Sequence, residues 1–470
     1  MSSLAHSRSY ADSHIFHRSL RKKPANIVSG QGITFTLSSG RTIIDASAGP
    51  AVSCLGHNQP TVIEAVTRQM QQISYVYSMG YTSSSAEELA SLLLSQKPGG
   101  LAKAIFVNSG SEATDAALKL VSQYWIEMGQ SQRTKFIARK QSYHGNTLGA
   151  LSVSGHASRR AYYEPWMSHN VSFVDPCYAY RGKADGESDV EYALRLRTQL
   201  EDEILRLGPD TVAAFVAETV PGTTIGCVPA VPGYFVAVRE VCDKYGILLI
   251  LDEIMCGMGK TGTMHAWEQE DIRGPDIQTI GKALGGGFVP LSGVLATQNV
   301  FDAVSNNSGT LSHGHTFQAH PTACAAAVEV QHIIGRDNLL KNVVVMGSLL
   351  QQSLEESLGS LPHVGDIRGR GLFWAVEFMR RPSTGDPFDK HAGYSNRVVE
   401  VSQDLGLNIL GTLGDTGEYH VEHVILSPPY IVKAEEVAEI VRLLKTAIQL
   451  VDQELDHVEQ QVEQHVRPSL

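Results

Sequence analysis

Ile247-Leu248-Leu249-Ile250-Leu251-Asp252-Glu253 is an unbroken apolar run closed by two carboxylates. A strand with one solvated face alternates apolar and polar residues. This run does not, so it reads as a strand of a parallel sheet covered by helices on both faces. Similar runs occupy 103–108, 135–140, 171–174, 212–218, 277–280 and 292–297, with helical stretches at 111–128, 191–207 and 234–245 among those between them. The succession of β-α units predicts an α/β fold built on a mostly parallel, seven-stranded sheet. Segment 177–190 is polar and glycine-bearing and reads as a surface excursion. After Thr322 the pattern changes to long helices, short strands around 367–378 and 424–426, and a helix over 434–452. These features predict a smaller α+β domain from the two chain ends. The expected division is 1–55 (N-terminal arm and part of the small domain), 56–330 (large domain) and 331–470 (C-terminal small domain).

The 470 residues, 43% hydrophobic and 19% charged, are ordinary globular values and can bury a sizeable core. With a net charge of −11 and no basic stripe, nucleic acid is not an expected partner. No apolar run reaches the length that spans a bilayer, so no membrane segment is expected. Six cysteines lie far apart without a C-x-x-C pair, which reads as reduced intracellular thiols and no metal site. The first 23 residues hold Arg8, Arg18, Arg21, Lys22 and Lys23 against a single acid, Asp12. That composition permits a mitochondrial transit peptide, but no cleavage signature stands out. The stretch is read as an exposed arm leading into a strand at 33–37, with the cytoplasm as the expected compartment.

Thirty positions after Asp252, Lys282 enters the loop Gly281-Lys282-Ala283-Leu284-Gly285-Gly286-Gly287. An apolar strand ending in a carboxylate, followed by a lysine in a glycine-rich loop, is what chemistry on pyridoxal 5'-phosphate requires. The amine forms a Schiff base with the cofactor aldehyde, and the carboxylate keeps the pyridine nitrogen protonated. A lysine at the end of an apolar strand is also partly desolvated, which favours its neutral form. Three further strand-to-loop junctions supply candidates. Asn108-Ser109-Gly110-Ser111-Glu112 opens a helix whose N–H groups can bind phosphate, or is a plain helix cap. In Ser142-Tyr143-His144-Gly145 the aromatic can stack on a planar ring, or the run is a surface turn. Ile254, two residues past Asp252, can support the other ring face, although Asp252-Glu253 alone could equally ligate magnesium in a nucleotide enzyme.

In their order, Gly110-Ser111, Tyr143-His144-Gly145, Glu218, Asp252, Lys282 and Thr316 resemble the class III aminotransferases of pyridoxal phosphate fold type I. The resemblance runs from about residue 30 to about residue 445. Its motifs are NSGSEATDAALKL, YHG, LDEIMCGMGKTG, GKALGGG, HTFQAHP and RGRGLFWAVEF. It is closest to the eukaryotic, largely fungal, members carrying AVSCLGH near the N-terminus. The resemblance implies Lys282 as the Schiff-base lysine, Asp252 as the partner of the ring nitrogen and Tyr143 as the stacking aromatic. It implies Ser109, Gly110 and Ser111 at the phosphate, with His144, Gly145 and Ile254 beside the ring and Glu218 near ring and substrate. Thr316 is expected to reach the phosphate in the neighbouring subunit, which implies a homodimer with shared sites. The expected activity is ping-pong transfer of an amino group from an amine or ω-amino acid to a keto acid or aldehyde. An aminomutase, racemase, decarboxylase or non-catalytic binding protein on the same scaffold is the alternative.

The substrate end departs from the family pattern. Members handling ornithine or 4-aminobutyrate carry an arginine in R-x-x-P-P, whereas Val424-Ile425-Leu426-Ser427-Pro428-Pro429 places Ile425 there. The stretch Gly414–His420, where some ω-amine enzymes keep a mobile arginine, has none. Met255 stands where a glutamine usually meets the ring hydroxyl, and Lys260 replaces the arginine of G-R-T-G. Either Arg159, Arg160 or Arg181 binds the keto acid, or the site favours substrates with no carboxylate beside the reacting carbon. Tyr75, Tyr77 and Tyr81 are expected either at the pocket edge or in packing near a dimer interface.

Overall fold

The computed structural model describes residues 13–20, 22–412 and 414–466, so Arg8, Asp12 and Arg21 of the basic N-terminal stretch lie outside the described residues. Three short strands near the N-terminus, β1 (Ile27–Gln31), β2 (Thr34–Leu37) and β3 (Thr42–Asp45), form an antiparallel meander. The central sheet follows with β4 (Leu101–Val107), β5 (Lys135–Arg139), β6 (Val171–Val174), β7 (Val212–Glu218), β8 (Leu248–Asp252), β9 (Ile277–Ile280) and β10 (Ser292–Thr297). The C-terminal segment adds β11 (Val364–Arg370), β12 (Phe373–Phe378), β13 (Leu407–Asn408), β14 (Leu410–Gly411) and β15 (Glu422–Leu426).

The central sheet has the order β4-β10-β9-β8-β7-β5-β6. Only β10 runs against its neighbours, β4 and β9, so the sheet is mostly parallel. Every residue of β7 and β8 is buried, as their unbroken apolar character requires when helices cover both faces. One covering layer includes the helices Asp189–Leu207 and Tyr234–Tyr245, which pack on Ile137, Phe215 and Leu249. The helix Gly110–Glu127 covers the other face, against Ala138, Val216 and Ile250.

The two chain ends meet as the composition change predicts. β13 pairs in parallel with β3, joining residues more than 360 positions apart into one sheet. β11, β12, β15 and β14 form the third sheet, backed by the helix Leu339–Leu358 and the C-terminal helix Ala434–Val466. That last helix runs well beyond the expected 452.

Segment 177–190 is corrected. It is not a plain surface excursion, because Tyr178 is fully buried and its hydroxyl donates to the Glu377 carboxylate on β12. Arg181 Nε donates to the same carboxylate at 2.8 Å, and Arg368 Nη1 lies 2.6 Å from it. The arginines hold the Glu377 carboxyl below the usual range, against a burial that would raise it. Tyr178 and Arg181 thus dock the start of the segment on the third sheet, while residues 184–186 and 188–190 are exposed.

Candidate active site

The parallel strands of the central sheet end on one side, and β10 begins there because it runs the other way. That side is where an open α/β sheet places its ligand crevice. In-register pairing brings Glu218, the last residue of β7, beside Asp252, the last of β8, and Asp252 beside Thr279 on β9. Gly281 and Lys282 follow β9 directly.

These ends line a cavity of about 250 Å³. Gly110, Ser111, Tyr143, His144, Gly145, Glu218, Asp252, Ile254 and Lys282 all line it. Two expected site residues do not. Ser109 caps the helix Gly110–Glu127, its Oγ accepting the Glu112 N–H at 3.2 Å. Thr316 is exposed, away from this chain's cavity, and its carbonyl accepts the Tyr75 hydroxyl at 3.0 Å. Tyr75, Tyr77 and Tyr81 do not line the cavity of their own chain either. Met255 lines it, along with Arg18, Pro50, Val220, Thr223, Cys256 and Ser292, which sequence reasoning did not single out. Cys256 sits inside the quoted LDEIMCGMGKTG run. Arg18, on an arm with no periodic pattern, gave no such signal.

Asp252 is fixed at both oxygens. Its Oδ1 accepts from the Ile254 N–H at 3.0 Å and from Thr279 Oγ1 at 3.1 Å, and its Oδ2 lies 2.8 Å from His144 Nδ1. His144 is itself held, its N–H donating to Ser154 Oγ and its carbonyl accepting from Thr114. The other ring nitrogen, Nε2, is buried without a hydrogen-bond partner. The imidazole therefore serves the carboxylate as an orienting donor through Nδ1–H. Glu218 is tied more loosely, by the Tyr143 N–H at 3.4 Å. Burial raises its carboxyl pKa, offset in part by His144 and Arg139, while Asp252 adds to the rise.

Lys282 has a left-handed backbone, φ 45°, which a non-glycine residue adopts at a cost and keeps only where its surroundings impose it. Gly281 before it has no space for a side chain, since a Cβ would sit 2.4 Å from Ser292 Oγ. Burial lowers the Lys282 amine below its ordinary pKa, although Asp252 and Glu218 pull it upward; Arg159 reinforces the lowering. The Cys256 thiol is pushed well up by burial, so it is no nucleophile at neutral pH.

The residues present fit pyridoxal 5'-phosphate. Tyr143 and Ile254 line the cavity, and Asp252 presents a fixed carboxylate to it. Lys282 supplies an amine, and the helix starting at Gly110 presents its N-terminus. Ser111 Oγ accepts the Asn146 N–H at 2.9 Å, leaving its own O–H proton to donate. The space is real as well: Gly145 has φ +138°, and a Cβ there would lie 2.8 Å from Ser111 Cα and Oγ.

Of the three arginines considered for a carboxylate, two are committed elsewhere. Arg160 Nη1 donates to the carbonyls of Leu151, Ser152 and Ser154, and Arg181 is bound to Glu377. Arg159 alone of the three lines the cavity, its guanidinium 4.4 Å from the centre of the Tyr143 ring. Ile425 is fully buried in a small apolar cluster with Ala51, Val220, Phe373 and Ala375. Lys260 is buried, donating to the carbonyls of Ser427 and Pro428 at 3.4 and 3.2 Å, and burial lowers its amine to about 8. It braces the chain ahead of Pro429 and does not line the cavity.

Comparison with known proteins gives a consistent result. The family model described as aminotransferase class-III matches residues 15–448. An uncharacterized aminotransferase of Schizosaccharomyces pombe is 45% identical over 94% of this chain and 96% of its own length. An aminotransferase of Gibberella zeae is 44% identical over 92% of this chain and 85% of its own. Among solved structures, a thermostable omega transaminase six-fold mutant from Pseudomonas jessenii superposes with a TM-score of 0.89 at 31% identity. That match covers 96% of this chain and 99% of the other.

Proposed function

This chain belongs to the class III aminotransferases, and on that premise we propose that it transfers an amino group in two alternating half-reactions at Lys282. The donor is an amine or ω-amino acid, and the acceptor is a keto acid or an aldehyde. The observation that carries the reading is the convergence of Lys282, Asp252, Tyr143 and the helix N-terminus at Gly110 on one cavity.

Pyridoxal 5'-phosphate, the cofactor the family implies, supplies when bound a carbonyl to receive the amino group and a ring that takes up electrons when a substrate C–H bond breaks. The chain's own residues hold and orient. Lys282 Nζ is the attachment point for the aldehyde end. Freed from it, the amine, whose pKa burial lowers, would take a proton from the substrate carbon and return one as the general acid. Asp252, fixed by His144, would favour positive charge on the ring nitrogen. Tyr143 and Ile254 would bound the ring, and Gly110, Ser111 and the first turn of their helix would hold the phosphate. Glu218 lies beside the reacting groups, its carboxyl pKa raised by burial.

We also take the working unit to be a homodimer. Tyr77, Met79, Tyr81 and Phe317 are large, apolar and more than half exposed, and they neighbour the Thr316 segment, with Phe317 set edge-on against Tyr75. A second copy covering them would bring Thr316 towards the other copy's phosphate end.

The test is a panel of amine and ω-amino acid donors against pyruvate and 2-oxoglutarate. Net alanine or glutamate is expected, with Lys282→Ala lowering turnover at least a thousandfold. A racemase, an aminomutase or a decarboxylase would consume the donor without aminating either acceptor. Full transfer by Lys282→Ala would overturn the assignment.

A further inference from the structure

A keto acid entering this cavity brings a carboxylate towards the fixed carboxylate of Asp252, with the Glu218 carboxyl beside it. Like charges at that range repel strongly where water is excluded, so acceptance of a keto acid demands a cation that the chemistry does not occupy. Lys282 is committed to the reaction. Ile425 is closed into an apolar cluster and cannot serve.

The short helix Ala157–Arg160 answers that demand by its mounting. Arg160 pins it with three hydrogen bonds of 2.9 to 3.1 Å to the carbonyls of Leu151, Ser152 and Ser154. From the other side, the Ala157 and Ser158 N–H groups donate to the carbonyls of Thr416 and Asp415. Gln141 in turn grips that loop at Thr416 and Tyr419. The backbone is thus held from two directions, and Arg159 projects from it into the cavity. Its guanidinium lies over the Tyr143 ring face, and among the described residues no acid and no carbonyl engages it. A half-buried arginine on a braced mount, stacked on an aromatic, with its N–H fork unused, is preorganised for a bidentate carboxylate. Arg18 lines the same cavity and adds positive charge.

We infer that Arg159 is the residue that binds the carboxylate of keto acid substrates and sets the preference for them over uncharged carbonyl acceptors. The inference rests on the transaminase reading for its substrate, although carboxylate binding can be measured apart from turnover. The substrate carboxylate accepts two N–H bonds from the guanidinium. Asp252 and Glu218 remain where they are, and no proton moves.

The experiment uses full-length protein loaded with cofactor and one fixed amine donor, with pyruvate compared against butanal as acceptor. Arg159→Met is expected to raise KM for pyruvate at least tenfold, and by at least five times more than any change it makes to KM for butanal. Arg159→Lys, which keeps the charge without the fork, should fall between. Propionate, an unreactive carboxylate, is titrated calorimetrically into wild type and variants, and its affinity should fall in parallel with the rise in KM. Unchanged pyruvate KM in Arg159→Met, or equal losses for pyruvate and butanal, would overturn the proposal and leave Arg159 as packing for Tyr143. If wild type aminates neither acceptor, the transaminase reading fails. The propionate titration still decides Arg159, since equal affinity in wild type and Arg159→Met refutes it.

Discussion

Gly145 shows how little freedom the cofactor end of the site leaves at single positions. Its φ of +138° and the 2.8 Å approach of Ser111 to any Cβ make it a place where one methyl moves the phosphate loop. Gly145→Ala is expected to weaken cofactor binding tenfold or more. It should also cost about 1–3 kcal/mol of stability, from a backbone conformation that alanine resists. Fluorescence titration of apoprotein with pyridoxal 5'-phosphate checks the first, and wild-type affinity would contradict the steric argument. At this scale Asp252, Lys282 and Tyr143 were legible because each closes a strand or opens a loop in a recognisable order. Arg159 was not separable from Arg160. Adjacent residues on a four-residue helix point different ways, and only the carbonyls of Leu151, Ser152 and Ser154 decide which one is occupied.

Among the elements, the seven central strands could be read because burial on both faces removes polar residues from them. The short strands β13 and β14, two residues each, carry no periodicity, and their strand character comes from partners at β3 and β15. Segment 177–190 misled for a related reason. Tyr178 and Arg181 are satisfied by a single carboxylate nearly 200 positions away, and composition carries no trace of that. Glu377 is completely buried between Tyr178, Arg181 and Arg368. Removing it strips Arg181 of its acid and leaves buried Arg368 with Asp366 alone, a change that costs about 3–5 kcal/mol. Glu377→Ala should lower the urea midpoint accordingly, and a loss below about 1 kcal/mol would show that the cluster is not what docks the segment.

For the molecule as a whole, buried neutral histidines predict its acid sensitivity. Burial depresses His423 and His265 to about 4, from an ordinary 6.5. His423 also lies near Arg368, which adds to the depression, while Glu377 and Glu422 oppose it. Because the folded pKa is the lower one, the neutral form is favoured in the fold. Each histidine's contribution is complete above pH 6.5 and is lost as pH falls from there towards 4, a difference worth about 3 kcal/mol per group. His423→Gln should flatten the stability profile between pH 6.5 and 4, as followed by urea unfolding at stepped pH. An unchanged slope would contradict it. At this scale the α/β class and the meeting of the chain ends were legible, whereas the surface around Thr316 is exposed in this chain and its role rests on the proposed dimer.

The claim on which the rest depends is that Lys282 holds the cofactor. Borohydride reduction of freshly purified protein, followed by peptide mass mapping, should place a pyridoxyl group on Lys282 and on no other lysine, with loss of the visible absorption band. A pyridoxyl group on another lysine, or none on protein that carries out amino transfer, would contradict the account.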